Sequence, residues 1–219
     1  DSAAVSWDPV AEVFIVHEAV AGGGSTGSET WTFDPATKLW TRLLGTVAPP
    51  YSLGSSLVYD PVRQVHVRVG RTFLTFNDPV WEFSLATGWT AVMPATSGGL
   101  VPNGSAAFVP SLGGIVIYAG TSSGTILWDG VDFTTLTPSG PSNPPSTPLA
   151  QVAPQDGGLA LDPVRDVLVY FGGRRGPTAA NETWEFDLAT STWSQVMTPA
   201  GGTPPPTRAS SLHFDPVLG

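Results

Sequence analysis

An internal repeat constrains this sequence more than any other feature. Its clearest copy is the run LALDPVRDVLVYFGGRRGPTAANETWEFDLATSTWSQV at 159–196. Copies recur roughly every fifty residues, a period longer than those of ankyrin, tetratricopeptide and leucine-rich repeats. Each copy opens with a turn, and these turns begin at Asp8, Asp60, Val109, Asp162 and Asp215. Such repetition predicts a series of similar structural units before any single residue is interpreted.

Seven of the eight tryptophans fall into two columns when the copies are aligned. The first column contains Trp31, Trp81, Trp128 and Trp184, and the second contains Trp40, Trp89, Phe133 and Trp193. The eighth, Trp7, lies directly before the first turn. Because they recur with the repeat, the aromatic columns are interpreted as features of the fold and not of a binding site.

Each copy contains four short segments rich in Val, Tyr, Phe, Trp and Thr, separated by turn residues. In the fourth copy they span roughly 158–162, 166–171, 182–187 and 192–197. Asp-Pro-Val-Arg suits a tight turn, because Asp can bond its own backbone and Pro presets φ. No segment shows a sustained helical period, and 25 glycines and 22 prolines argue against helices. Four antiparallel strands repeated radially predict an all-β fold, a β-propeller.

Several motifs resemble the kelch repeat. They are YFGG at 170–173, NETWEFD at 181–187, STW at 191–193 and PPTRASSLHFD at 205–215, with LWDG at 127–130 similar to a common bacterial variant. The resemblance covers essentially the whole chain and is strongest in the fourth copy, the one copy with the full Gly-Gly pair. It implies a kelch-type β-propeller with one blade per repeat, a fold used most often as a binding platform and occasionally as an enzyme.

The repeats define the domain organisation. They span about 2–43, 54–92, 104–136 and 157–197, with a partial fifth copy at 208–219. This predicts one propeller domain or propeller fragment, with about four four-stranded blades plus the first strand of a fifth. Propellers have roughly four to eight blades, so further blades would belong to the same protein or to another chain. The alternative is a compact four-bladed ring in which the last strand pairs near the N-terminus.

Composition excludes several classes of partner. The net charge of −9 reflects aspartates that recur at the turns. The nine basic residues form no patch, so no nucleic-acid partner is expected. No apolar run approaches the length of a membrane span. The absence of cysteine excludes disulfides and thiolate metal sites.

The sequence offers little support for catalysis. An oxidase similar to galactose oxidase would need a cysteine-modified tyrosine, and the chain has no cysteine. The three histidines, His17, His66 and His213, belong to three different repeats, whereas zinc hydrolysis needs several clustered ligands. We therefore predict no catalytic residue, no metal and no cofactor.

Strand alternation separates the connections of each unit into two sets. The connections between first and second strands, and between third and fourth strands, are short and stereotyped. The opposite set is long and variable, with connections between second and third strands at approximately 18–29, 70–79, 119–125 and 172–182 and a proline-rich connection between repeats at 137–157. Variable loops on a rigid scaffold commonly carry binding sites. We therefore expect the long-loop face to be the binding face.

Positions that depart from the repeat supply the candidate binding residues. They are Glu18, His66, Arg68, Arg71, Arg174, Arg175 and Arg208. His66 and Arg68 share one face of a strand whose counterparts are apolar. This pair indicates a solvated or crystal-packed edge, an arginine stacked over a neighbouring tryptophan, or a polar pocket between blades. His17 also replaces an apolar residue and is interpreted as a core histidine. The arginines suit carboxylate or phosphate groups, because the guanidinium offers a planar fork of donors.

These features favour a non-catalytic recognition or scaffold module that binds a protein or a glycan through the long-loop face. The style of the repeats is typical of extracellular or cell-surface bacterial propellers. One alternative is a carbohydrate-active or other small-molecule enzyme with a site on the same face. Another is an architectural subunit that assembles edge to edge.

Overall fold

The chain folds into four four-stranded antiparallel sheets, one for each complete repeat. A computed structural model describes residues 3–22, 25–45, 47–50, 55–70, 79–95, 104–118, 124–136, 157–175, 178–197, 202, 204–207 and 211–215. Within these ranges the structure is all-β, and its one helical element is a 3-10 turn at Pro110–Leu112. The chain divides into two compact units, Asp1–Asn103 and Gly104–Gly219, each containing two of the sheets.

Every sheet is a meander in which consecutive long strands pair. Sheet 1 comprises β1 Ala3–Asp8, β2 Val13–Gly22, β3 Ser25–Asp34 and β4 Leu39–Leu43. Sheet 2 comprises β5 Ser56–Asp60, β6 Val65–Val69, β7 Val80–Ser84 and β8 Gly88–Val92. Sheet 3 comprises β9 Ser105–Val109, β10 Gly114–Tyr118, β11 Thr125–Trp128 and β12 Phe133–Leu136. Sheet 4 comprises β13 Gly158–Asp162, β14 Val167–Phe171, β17 Thr183–Asp187 and β18 Thr192–Val196, and between its middle strands lies a ribbon of β15 Arg174–Arg175 and β16 Thr178–Ala179.

The four strands predicted for the fourth repeat are confirmed to within one residue at each end. Two predicted loops are wrong, because they contain strands. In sheet 1, β2 and β3 continue through most of 18–29 and leave two residues between them. In sheet 4, β15 and β16 occupy part of 172–182. None of the paired residues in either segment is a proline, so each segment can extend as a β-ribbon.

The short turns owe their shape to aspartate. Asp8 and Asp60 each accept two backbone N–H groups from the turn that follows, at 2.9 to 3.1 Å. The same arrangement recurs at Asp162. At Val109, which has no such acceptor, the 3-10 turn and a left-handed Gly113 (φ 64°) reverse the chain instead. The predicted turn role of the aspartates is therefore confirmed.

Two repeats add an arginine bridge to the turn, and its burial differs between them. Arg63 binds Asp60 at 2.8 Å and also Glu82, whereas Arg165 binds Asp162 at 2.6 Å and also Glu185. The Arg63 side chain is 27% exposed over a buried Asp60, and the Arg165 side chain is 52% exposed. The same chemical contact is therefore made in two different environments.

We expect Arg63→Met to lower the free energy of unfolding by about 2–3 kcal/mol, because it leaves the buried Asp60 carboxylate without its counter-ion. Arg165→Met, the matched control, should cost about 0–1 kcal/mol, since water replaces the lost contact. Urea denaturation of both variants at pH 7 measures the difference. Equal losses in the two variants would contradict this account.

The register corrects one of the aromatic columns. Trp128 lies opposite Ile115 and Phe133, at the position that Phe33, Phe83 and Phe186 hold in the other sheets. Trp128 therefore does not belong to the first tryptophan column, and Ile126 holds that place. Sheet 3 has exchanged the order of its Phe and Trp, and the two rings still pack 4.8 Å apart. Total aromatic volume is conserved by the exchange, which explains why the position tolerates it.

Each sheet has two distinct faces. We call the face with the Phe and Trp pair the aromatic face, and the other, which carries Thr30 in sheet 1 and Thr125 in sheet 3, the threonine face. In the first unit, Ala4 and Ile15 from the threonine face of sheet 1 pack on Leu57, Phe83 and Trp89 from the aromatic face of sheet 2. The second unit repeats this packing between sheets 3 and 4. Its core contains Val109, Val116, Tyr118, Leu159, Leu168, Tyr170, Trp184, Phe186 and Trp193.

The start of the fifth repeat lies against sheet 4. A Cβ atom added to Gly158 would come within 2.9 Å of Leu212 and 3.1 Å of Ser211, so the two segments are in close contact. Residues 211–215 are described without strand structure. The described part of the predicted first strand of a fifth blade therefore lies beside sheet 4, but it is not assigned as a strand.

Candidate functional site

Two of the predicted site residues, His66 and Arg68, lie between sheets 1 and 2. Both belong to β6, whose short Val-rich run places them on the aromatic face of sheet 2. His66 is 0% and Arg68 2% exposed, so the prediction of a solvated edge is wrong at both positions. Their location is that required by the alternative prediction, a polar pocket between blades.

His66 binds an aspartate on the facing sheet. Its Nε2 atom lies 3.3 Å from Oδ2 of Asp8, and Oδ1 of the same carboxylate accepts the turn N–H groups of Val10 and Ala11. The ring also packs 4.9 Å from that of Tyr59. Asp8 thus fixes a turn in sheet 1 and a contact to sheet 2 with one carboxylate.

A second polar chain crosses the same interface. Trp89 Nε1 donates to Thr30 Oγ1 at 2.7 Å, and Thr30 Oγ1 lies 3.2 Å from His17 Nδ1. Because an indole nitrogen can only donate, the threonine oxygen accepts this hydrogen bond, and the same hydroxyl is also shared with His17 Nδ1. His17 Nε2 has no hydrogen-bond partner in the part of the chain that the structure describes.

Arg68 completes the polar interface. Its guanidinium donates from one terminal nitrogen to the carbonyl oxygen of Pro50 at 3.2 Å. Its positive charge also reaches His17, where burial and then this charge lower the pKa to about 3. His17 is therefore neutral at pH 7, and the two side chains coexist without like-charge repulsion.

Asp8 and His66 perturb one another in opposite senses. Burial disfavours ionised Asp8, but hydrogen bonds from Ala11 and His66 outweigh it and hold the pKa of Asp8 below its ordinary value. Burial also lowers the pKa of His66, and the neighbouring Asp8 opposes that shift only in part. At neutral pH the imidazole of His66 is therefore neutral and the carboxylate of Asp8 is ionised.

The second unit has no His, Arg or Asp side chain at the positions corresponding to Asp8, His17, His66 and Arg68. Val109 and Leu168 take the places of Asp8 and His66, and both are buried in the core of that unit. Tyr118 and Tyr170 take the places of His17 and Arg68, with ring centroids 4.9 Å apart. The Trp-to-Thr hydrogen bond is retained, from Trp193 to Thr125 at 2.8 Å.

The departures at His66 and Arg68 are therefore matched by departures on the facing sheet. Sequence reasoning missed Asp8, which was interpreted only as a turn residue, and the partnership of His17 with Arg68. The sequence does contain a signal for these contacts, because the two residues that face each other across neighbouring sheets change together from one pair of repeats to the next. This signal can be used only when it is known which positions of one repeat face which positions of the next.

Three of the remaining predicted residues lie at the long-loop end. Glu18 is in β2 opposite Glu29, and Arg174 and Arg175 form β15 opposite Ala179 and Thr178. For these three the structure describes the backbone alone. Arg71, Arg208 and the connection at 137–156 lie outside the described residues.

Described carboxylates at this end have defined partners. Glu29 accepts the indole N–H of Trp31 at 3.0 Å and forms an ion pair with Arg42 at 2.6 Å. Glu182 accepts the indole N–H of Trp184 at 3.1 Å. Both belong to a Glu-Thr-Trp sequence, so Trp31 and Trp184 are each anchored by a glutamate two residues before them.

Neither a metal cluster nor a membrane helix is found among the described residues. No group of three or more His, Cys, Asp or Glu side chains is arranged to hold a metal ion there. No helix in the same ranges has the length and apolar character needed to cross a membrane. The sequence matches no protein-family model, and no curated protein matches it significantly.

Proposed function

We propose that the chain is a kelch-type β-propeller segment that acts as a non-catalytic recognition scaffold, with a protein or glycan ligand bound at its long-loop end. The propeller assignment is supported by the sheets themselves. In both units the aromatic face of one sheet packs on the threonine face of the preceding one, with the same Trp-to-Thr hydrogen bond. Repetition of a single sheet-to-sheet interface is how blades stack around a propeller axis.

The contrast between the two ends of the sheets is the observation that supports placing the ligand at the long-loop end. At one end the turns span three or four residues, and their aspartates bind the turn's own backbone. At the other end sheets 1 and 4 project β-ribbons, one of which contains Arg174 and Arg175. Variable projections on a rigid scaffold suit ligand binding, and two adjacent arginines suit a carboxylate-bearing ligand.

The proposal includes an extracellular or cell-surface location, which is supported by the resemblance to bacterial surface propellers. In the described ranges the buried polar side chains stabilise turns or lie at interfaces between sheets, and none of them forms a nucleophile, base and oxyanion-donor arrangement. This favours recognition over the alternative of a small-molecule enzyme.

The test is a printed glycan array and a displayed peptide library, probed with the full chain. We expect Arg175→Gln to weaken the strongest hit at least tenfold, since it removes a charge-assisted contact. Lys38→Gln, which removes the same charge from a short turn at the opposite end, should leave binding unchanged.

Two outcomes would overturn the proposal. Clean negatives on both panels would remove the recognition function. Binding that is lost in Lys38→Gln but retained in Arg175→Gln would place the site at the short-turn end.

A further inference from the structure

The aromatic face of sheet 1 is partly exposed among the residues that the structure describes. Trp7, Phe14, Phe33 and Trp40 form a ladder across its four strands, with successive ring centroids 4.8, 6.4 and 4.8 Å apart. Trp40 is 56% exposed, whereas Trp89 and Trp193 at the same register position are 8% and 3% exposed. A contiguous apolar surface of this kind marks an interaction site.

The tilted ring pairs of this face resemble ring pairs in a buried core and differ from the flat aromatic surface on which a sugar ring stacks. Phe33 and Trp40 are inclined by 34°, and Trp7 and Phe14 by 58°. The buried pair Phe83 and Trp89 has a similar separation of 5.2 Å and an angle of 50°. Tilted rings pack against one another and do not present a single plane to a sugar. The surface is thus one half of a sheet-to-sheet interface.

The repeat itself indicates what covers such a face. In both units an aromatic face is covered by a threonine face, whose hydroxyl accepts the indole N–H of the tryptophan on the fourth strand. Sheet 4 carries Thr183 at the position of Thr30 and Thr125, as its cross-strand partners Phe171 and Val196 show. Thr183, Val169 and Phe171 are only half-buried. The described residues therefore include a partly exposed aromatic face in sheet 1 and a threonine face in sheet 4 whose side chains are only half-buried.

We propose that a second copy of this chain covers the aromatic face of sheet 1 with the threonine face of its sheet 4, and that Trp40 donates to Thr183 of that copy. The two surfaces differ, so the contact is heterologous and copies associate head to tail. This assembly goes beyond the proposed recognition function and uses none of the long-loop residues.

The start of the fifth repeat fits this arrangement. Residues 210–215 (SSLHFD) hold the same place in the repeat as 3–8 (AAVSWD), and Leu212 lies against Gly158. The described residues 211–215 are not assigned to a strand. On docking, β1 of the incoming copy takes the place of 211–215 beside β13.

Sedimentation velocity of the full chain over a wide concentration range tests the proposal. We expect concentration-dependent oligomers in the wild type. Trp40→Arg blocks the aromatic face and Thr183→Arg blocks the threonine face, so each variant alone should be a monomer. An equimolar mixture of the two should form a dimer and stop there, because only one competent interface remains. Trp40→Phe, which removes only the N–H donor, should weaken association roughly tenfold.

The control is Val164→Arg, which adds the same charge at an exposed position in a short turn of sheet 4 and should associate as the wild type does. Circular dichroism checks that each variant is folded. A wild type that remains monomeric at every concentration would overturn the proposal. Dimers of Thr183→Arg alone would also overturn it, since they would require two aromatic faces to meet. Glycan and peptide binding are measured separately, so failure of either proposal leaves the other standing.

Discussion

Replacing Thr30 by Val should lower the free energy of unfolding of the first unit by about 2–4 kcal/mol. Val has nearly the shape of Thr, so the packing of Ile15 and Trp89 around it is preserved. The loss arises because two buried groups, Trp89 Nε1 and His17 Nδ1, lose a shared partner at once. Each unsatisfied buried group costs about 1–3 kcal/mol. Urea denaturation followed by tryptophan fluorescence measures the change.

Thr125→Val in the second unit is the matched control. Thr125 is equally buried and accepts Trp193, but the facing residue there is Tyr118 in place of a histidine. Its loss should therefore be smaller, about 1–2 kcal/mol. Combining Thr30→Val with Trp89→Phe removes donor and acceptor together, and the double variant should be more stable than the sum of the single changes predicts. Strictly additive losses would show that the hydrogen bond contributes nothing.

The sequence was sufficient to predict the features that depend on local chemistry. The strands of the fourth repeat, the four-stranded units and the aspartate turns at Asp8, Asp60 and Asp162 follow from side chains that act on their own backbone or at a period of two. These interactions repeat wherever the residues repeat. A single clear copy was therefore enough to locate the others.

Features that depend on contacts between sheets could not be predicted in the same way. His66 and Arg68 looked like departures from an apolar column, because their partners Asp8 and His17 are roughly fifty residues away in the preceding repeat. Trp128 was assigned to the wrong column because Phe and Trp exchange places in sheet 3 without loss of volume. The ribbons at 18–29 and 172–182 were missed because Gly-rich segments were interpreted as loops. In each case the deciding partner is distant in sequence.

Acid should weaken the first unit more than the second, and His17 should be the main cause. Burial, with the charge of Arg68, lowers the pKa of His17 from 6.5 to about 3. Between these values the unfolded chain binds a proton that the folded chain excludes. The free energy of unfolding therefore falls as the pH is lowered from 6.5 towards 3. Full titration across this window corresponds to a loss on the order of 5 kcal/mol.

His17→Tyr introduces the residue that sheet 3 has at the same position, Tyr118, and should abolish most of this pH dependence. We expect urea midpoints at pH 7 and pH 4.5 to differ much less in the variant than in the wild type. His66, whose pKa is also lowered by burial, and Asp8, whose ionised form is stabilised by hydrogen bonds, leave a smaller dependence of the same sign. His213→Tyr is the control, because His213 is exposed and should leave the wild-type pH dependence intact. If His17→Tyr and the wild type lost equal stability between the two pH values, burial of a neutral His17 could not be the origin of the acid sensitivity.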